Sequence, residues 1–176
     1  MNGPVDVAVK VRSVGPNDAA ELAAFGRHNR EYHGEDFVVP MDAEAWQALA
    51  QDNTQQWFRV DTAHSGLAGV LCLVRWASVP WHTADLGAGA DERLAGTGAM
   101  SAGLRLMLRS EMRRDHLERV DALIRPGHGA SERFVTAGGL RLEGVARGAL
   151  SRAGRRLDMN RWAILRTDIT AGGRAS

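Results

Sequence analysis

Cysteine, lysine and long apolar runs are almost missing from this chain, and each shortage excludes something. Cys72 is the only cysteine, so neither an internal disulfide nor a cysteine-based metal site is available. Within its apolar run it reads as a small buried hydrophobe. Lys10 is the only lysine among 22 basic residues, a mark of codon bias rather than of arginine chosen for chemistry. No stretch approaches the roughly 18 apolar residues of a membrane span. Met1-Asn2-Gly3-Pro4 lacks the charged start and apolar core of an export signal, so the expectation is a cytoplasmic protein with no membrane partner. Neither sign of charge is in excess: 22 basic and 21 acidic residues are dispersed to a net charge of +1, which leaves no stripe for nucleic acid and no polybasic patch. No His, Cys and Asp cluster has metal-ligand spacing, and no metal is expected.

What is present is enough for one core. With 176 residues and 44% hydrophobic content the chain reads as a single domain over 1–169, followed by a small, polar, flexible tail over 170–176. Val5, Val7, Val9 and Val11 alternate with polar or small residues, the period of a half-buried strand. After Gly15-Pro16, Asn17 or Asp18 can cap a helix whose Leu22, Phe25, Gly26 and Asn29 share a face, with Glu21 placed as in a capping box. A loop or broken helix from Asn29 to Pro40 leads to a second helix over 42–53, with Trp46, Leu49 and Ala50 inward. Strands over 56–61 and 67–76 form a hairpin about His64-Ser65-Gly66, and another strand lies between His82 and Ala90. Met100, Leu104, Met107, Leu108 and Met112 then recur at helical spacing as a core face, with Arg105, Arg109, Arg113 and Arg114 elsewhere. A strand over 119–124, a helix over 130–138 and strands over 140–150 and 157–165, turning at Ala153-Gly154, complete the order. The fold class is α/β in the mixed α+β sense, a sandwich built around one sheet.

Between the strand ending near Ala90 and the methionine-rich helix stands Arg93-Leu94-Ala95-Gly96-Thr97-Gly98-Ala99. Glycines let a backbone approach an anion, and the first turn of a helix carries unpaired amides and partial positive charge. An Arg-x-x-Gly-x-Gly string placed between a strand and a helix therefore predicts a phosphate cradle. It lacks the Lys-Ser/Thr pair of a nucleotide phosphate loop.

The strand and helix order, with Arg93-x-x-Gly96-x-Gly98 at the exit of the fourth strand, resembles the GNAT superfamily of acetyl-coenzyme A-dependent N-acetyltransferases. The C-terminal third resembles its RimJ/RimL branch: Leu117-Glu118-Arg119-Val120-Asp121-Ala122, then His128-Gly129-Ala130-Ser131, then Gly139-Leu140-Arg141-Leu142-Glu143-Gly144, with Arg147, Gly154 and Asp158 beyond. The similarity runs from Ala84 to Leu165, with a weaker echo from Arg27 to Pro40. It implies a mostly antiparallel sheet of about six or seven strands, flanked by about four helices and splayed between strands 4 and 5.

The resemblance also implies site residues. Backbone amides of Leu94, Ala95, Gly96, Thr97, Gly98 and Ala99, beside Arg93, would bind the pyrophosphate of acetyl-coenzyme A, the co-substrate. The main chain of Leu86, Gly87 and Ala88 would pair with its pantetheine arm. Ser131 falls on the serine that protonates the departing thiolate, although a serine there could equally be a helix N-cap or first-turn residue. His128 stands where the branch has Asn, either keeping a hydrogen bond to backbone or coenzyme or simply exposed. The acidic base of some relatives falls on Leu150, so the base must be sought in Asp85, or in Glu31, His33 or Glu35. Trp46, Trp57 and Trp162 read as core, and Trp76 and Trp81, flanking Pro80, could line a groove. The expected function is acetyl transfer to the α-amine of a protein or peptide. Transfer to a small amine, antibiotic or peptide natural product, and non-catalytic acyl-coenzyme A binding, stay open, as does a monomer or a homodimer.

Overall fold

In the computed structural model, residues 7–34, 38–76, 82–114 and 117–171 are described, with side chains to residue 169. The expectations placed on Val5, Glu35, Pro80, Trp81 and residues 172–176 lie outside them. One seven-stranded sheet organises the rest: β1 (Val9–Ser13), β2 (Gln55–Thr62), β3 (Gly66–Arg75), β4 (Thr83–Ala90), β5 (Arg119–Ile124), β6 (Arg141–Arg152) and β7 (Arg155–Leu165). Their spatial order is β1-β2-β3-β4-β5-β7-β6. Neighbours are antiparallel except β4 and β5. That pair is parallel because the chain between them returns as a helix, the crossover that parallel strands require.

Helices cover both faces. On one side α4 (Ala99–Arg114) and α5 (Gly129–Gly138) close a core containing Leu71, Leu73, Leu104, Met107, Leu108, Met112 and Val120. On the other, α1 (Ala19–His28) and α3 (Ala43–Leu49) pack Leu22, Phe25 and Trp46 against Trp57, Val70 and Cys72. Successive residues of β3 thus enter opposite cores, which is why its sequence is an unbroken apolar run rather than an alternation. Trp46 and Trp57 meet edge to face with ring centroids 4.9 Å apart.

Several boundaries differ from expectation. The second helix ends at Leu49 instead of continuing to residue 53, because Asp52 Oδ1 accepts the Thr54 amide at 2.7 Å and turns the chain into β2. Among the described residues of the segment from Asn29 one helical turn forms, α2 (Arg30–His33). A last helix, α6 (Arg166–Ala171), was not expected and enters the region read as tail; Asp168 Oδ2 accepts the Leu165 amide at 3.0 Å as β7 ends. Among the described residues no helix is long and apolar enough to cross a membrane.

Candidate functional site

The sheet opens where the glycine turn begins. β4 pairs with β3 from Ala84 through Ala90, whereas its pairing with β5 is limited to Thr83 with Arg119, Ala84 with Val120 and Asp85 with Asp121. From Leu86 onward β4 has left β5. The sequence Gly87-Ala88-Gly89-Ala90 offers almost no side chain for cross-strand packing, so little holds the two strands together there. The side chains of Leu86 and Ala88 still pack on the α4 core. Along this stretch the main chain of β4 pairs with β3 and no longer with β5.

Directly after Ala90 the turn folds on Asp91, whose buried carboxylate accepts from the Arg93 amide at 2.9 Å and from the Arg93 guanidinium at 2.7 and 2.9 Å. Those guanidinium bonds, joined by burial acting the other way, leave the Asp91 pKa lowered. Arg93 is therefore the brace of the turn, although its far side stays exposed. Not all amides expected to bind phosphate are available: Leu94 donates to Asp91 O, Ala95 to Glu92 O and Thr97 to Leu94 O. The amides of Gly96 and Gly98 enter none of these bonds. Both residues have positive φ, +78° and +86°, and an added Cβ would meet open space. Their glycines answer to backbone conformation, not to crowding. The turn delivers them to the first turn of α4, a 16-residue helix.

On α5, His128 occupies the cap position and Ser131 the third helical position, so Ser131 is a first-turn residue and not the cap. Its Oγ lies 2.7 Å from His128 Nδ1, a pair that sequence reasoning did not foresee. His128 is exposed, as one of its two readings required, but it is bonded to Ser131.

At the root of the opening, Asp85 accepts the indole N–H of Trp76 at 3.1 Å. Partial burial pushes its pKa up; Asp121 adds to this, while the Trp76 hydrogen bond and Arg161 oppose it. Asp121 itself is buried and bonded by Arg119, which also reaches Glu143. Trp76 is half exposed, as a groove-lining residue would be, and Trp162 is only half-buried, beside a hollow under α5 lined by Gly129, Glu132 and Arg133.

The other candidate bases fare differently. Glu31 is exposed on α2. His33 Nε2 lies 2.7 Å from Ala90 O, and since a carbonyl only accepts, that nitrogen carries the hydrogen. Its Nδ1 is buried without a hydrogen-bond partner, and burial lowers its pKa. A neutral imidazole so enclosed braces the end of β4 rather than meeting an incoming amine. Sequence reasoning missed the neighbouring Asn29, fully buried, whose Oδ1 accepts the Glu92 amide at 2.8 Å and whose Nδ2 donates to Phe25 O at 3.0 Å. The helix α1 is thereby tied to the start of the glycine turn.

No protein-family model matches this sequence, and no sequence among the curated proteins matches it significantly. Solved structures do match in three dimensions. The ribosomal-protein-S5-alanine acetyltransferase of Vibrio fischeri superimposes with a TM-score of 0.77 at 20% identity, over 91% of this chain and 94% of that one. RimJ of Mycobacterium smegmatis, in complex with CoA-disulfide, gives 0.73 at 22% identity over 96% and 90%. The spermidine N-acetyltransferase of Vibrio cholerae, in complex with CoA and spermine, gives 0.73 at 17% identity over 92% and 98%. The fold is that of the GNAT acetyltransferases.

Within the GNAT fold of this chain, the open edge of β4 leads into the glycine turn and α4, and Ser131 stands on α5, the helix that follows β5. Among the described residues there is no group of three or more His, Cys, Asp or Glu side chains that could hold a metal.

Proposed function

We propose that this chain is an acetyl-coenzyme A-dependent N-acetyltransferase that acts on a primary amine, the α-amine of a protein or peptide, by direct attack in a ternary complex in the cytoplasm. The observation that carries this reading is the departure of β4 from β5 after Asp85, followed at once by a positive-φ glycine turn at the start of α4. That donor set suits the coenzyme: the β4 main-chain groups along Leu86, Gly87 and Ala88 that point away from β3 for an amide-bearing arm, and the amides of Gly96 and Gly98 with the helix dipole for a pyrophosphate. When bound, the coenzyme supplies an acetyl group already activated as a thioester.

The protein's own part is then positioning, polarisation and two proton movements. Asp85 is the base of choice, because its raised pKa marks a carboxylate shaped by its surroundings at the root of the opening. Ser131 holds the proton for the leaving sulfur. The partners are the coenzyme and an amine, and the protein acts as a monomer or homodimer.

A second reading rests on Trp76. An exposed indole bonded to a carboxylate is suited to a cationic small amine. Thiol release measured with peptides beginning in Ala or Ser, against polyamines and aminoglycosides, decides between the two. Coenzyme binding without release for any acceptor would instead mark a non-catalytic acyl-coenzyme A binder.

A further inference from the structure

His128 and Ser131 stand three residues apart across the first turn of α5, which puts both side chains on one face of the helix. The Glu132 amide donates to His128 O at 3.1 Å, so the backbone that carries the pair is itself fixed. Their hydrogen bond, Nδ1 to Oγ at 2.7 Å, can run in only two directions. With the imidazole neutral and Nδ1 bare, the Ser131 hydroxyl donates to His128 and its proton is turned inward. With hydrogen on Nδ1, in the neutral Nδ1–H tautomer or in the protonated ring, Nδ1–H donates to Oγ and the serine O–H is free to donate outward. Only the protonated ring can then give up that hydrogen and be left neutral.

We propose that His128 is a positioning residue that aims the Ser131 hydroxyl at the leaving sulfur and restores its proton, so that the protonated imidazole is the working form. The proposal rests on the acetyl-transfer reading. In the step, the Ser131 O–H bond breaks and its proton passes to the departing thiolate; the Nδ1 proton of His128 moves to Oγ. His128, left neutral, takes a proton from solvent, to which it is exposed. The amine's proton leaves separately through its base, so the balance is one amide and one thiol formed.

The charged residues next to His128 in the chain are Arg125, whose carbonyl accepts the His128 amide at 3.1 Å, and Glu132 and Arg133 on α5. Glu132 is engaged by Asn160 of β7, whose Nδ2 donates to Oε1 at 3.2 Å. An asparagine, which the Asn-x-x-Ser turn of the RimJ/RimL branch carries here, donates from its amide at every pH. Histidine makes the same contact whenever Nδ1 carries hydrogen, and in its protonated form it can also pass a proton on, which an amide cannot.

Two measurements test this. In the first, the His128 ring is followed by ¹⁵N NMR as a function of pH, with and without coenzyme A, in the natural protein and in S131A. The expected result is that S131A moves both the Nδ1 chemical shift and the midpoint of His128; unchanged values in S131A overturn the pair whatever the activity. In the second, kcat is measured against pH with the best acceptor. Turnover is expected to fall as pH rises through the midpoint read by NMR. H128N, which can still donate to Oγ but cannot pass on a proton, should lose turnover several-fold together with that limb, and H128A should lose more. A limb that persists in H128N sinks the proposal. Absence of turnover with every acceptor, while coenzyme binds, counts against the acetyl-transfer reading instead, and the NMR comparison then decides the pair by itself.

Discussion

Asp85 is the residue at which the sheet divides, and its chemistry follows from that place. A base works as the carboxylate, so activity should rise with pH as Asp85 loses its proton, at a midpoint above the usual carboxylate range because burial raises its pKa. Asp85→Asn is expected to remove this rising limb and lower kcat/KM about a hundredfold. It should not lower the unfolding midpoint at neutral pH, since the raised pKa means that the ionised form is the one the fold disfavours. A pH profile unchanged by the substitution would assign the base elsewhere.

Arg59 and Asp18 tell the opposite story. Both are buried, and Arg59 also binds Glu21 and Asp61. Hydrogen bonds from Arg12 hold the Asp18 carboxyl well below the usual range, with bonds from Gly15 and Arg59 adding to the effect and burial opposing it. A lowered folded pKa gives stability that is complete above the unfolded value and lost as pH falls through the folded one. Asp18→Asn should therefore cost about 2 to 3 kcal/mol at pH 7, read by urea denaturation, with the gap to the natural protein closing below about pH 4. The pairing of Asp18 with Arg59 was invisible in the sequence because the partners lie 41 positions apart.

Among the elements, the glycine turn and α4 were the most legible. Gly96 and Gly98 announced a turn that only glycine tolerates, and the row from Met100 to Met112 announced a buried face. Which amides of the turn are available was not legible, since that depends on the 3-10 bonds formed by Leu94, Ala95 and Thr97. Gly98→Ala should cost about 1 kcal/mol from the positive φ and weaken coenzyme A binding about tenfold or more, as read by calorimetry. Equal affinity would show that the turn does not hold the pyrophosphate. The short α2 and α3 were harder to bound, because their ends are fixed by tertiary contacts such as the Trp46 indole on Pro40 O at 3.0 Å. Helix α6 escaped notice because six residues carry too little periodicity.

For the whole molecule, the parting of β4 from β5 makes one prediction that does not depend on the acceptor. Saturating coenzyme A should raise stability by about 2.7 kcal/mol at a hundred times its Kd. In hydrogen exchange the slowing should concentrate at residues 86–88 and 96–101, with little change in β1 and β2. Protection spread evenly over the sheet would place the ligand elsewhere.

Local pattern was sufficient for the order of the strands and of the longer helices and for the glycine turn before α4, because alternation, helical spacing and glycine act within a few residues. The parting of β4 from β5 was implied by the resemblance and not by local pattern, and the tertiary structure alone decided that Asn29 fastens α1 to the glycine turn and that Trp76 meets Asp85. These depend on segments between 9 and 63 positions apart, brought together only when both cores close on one sheet.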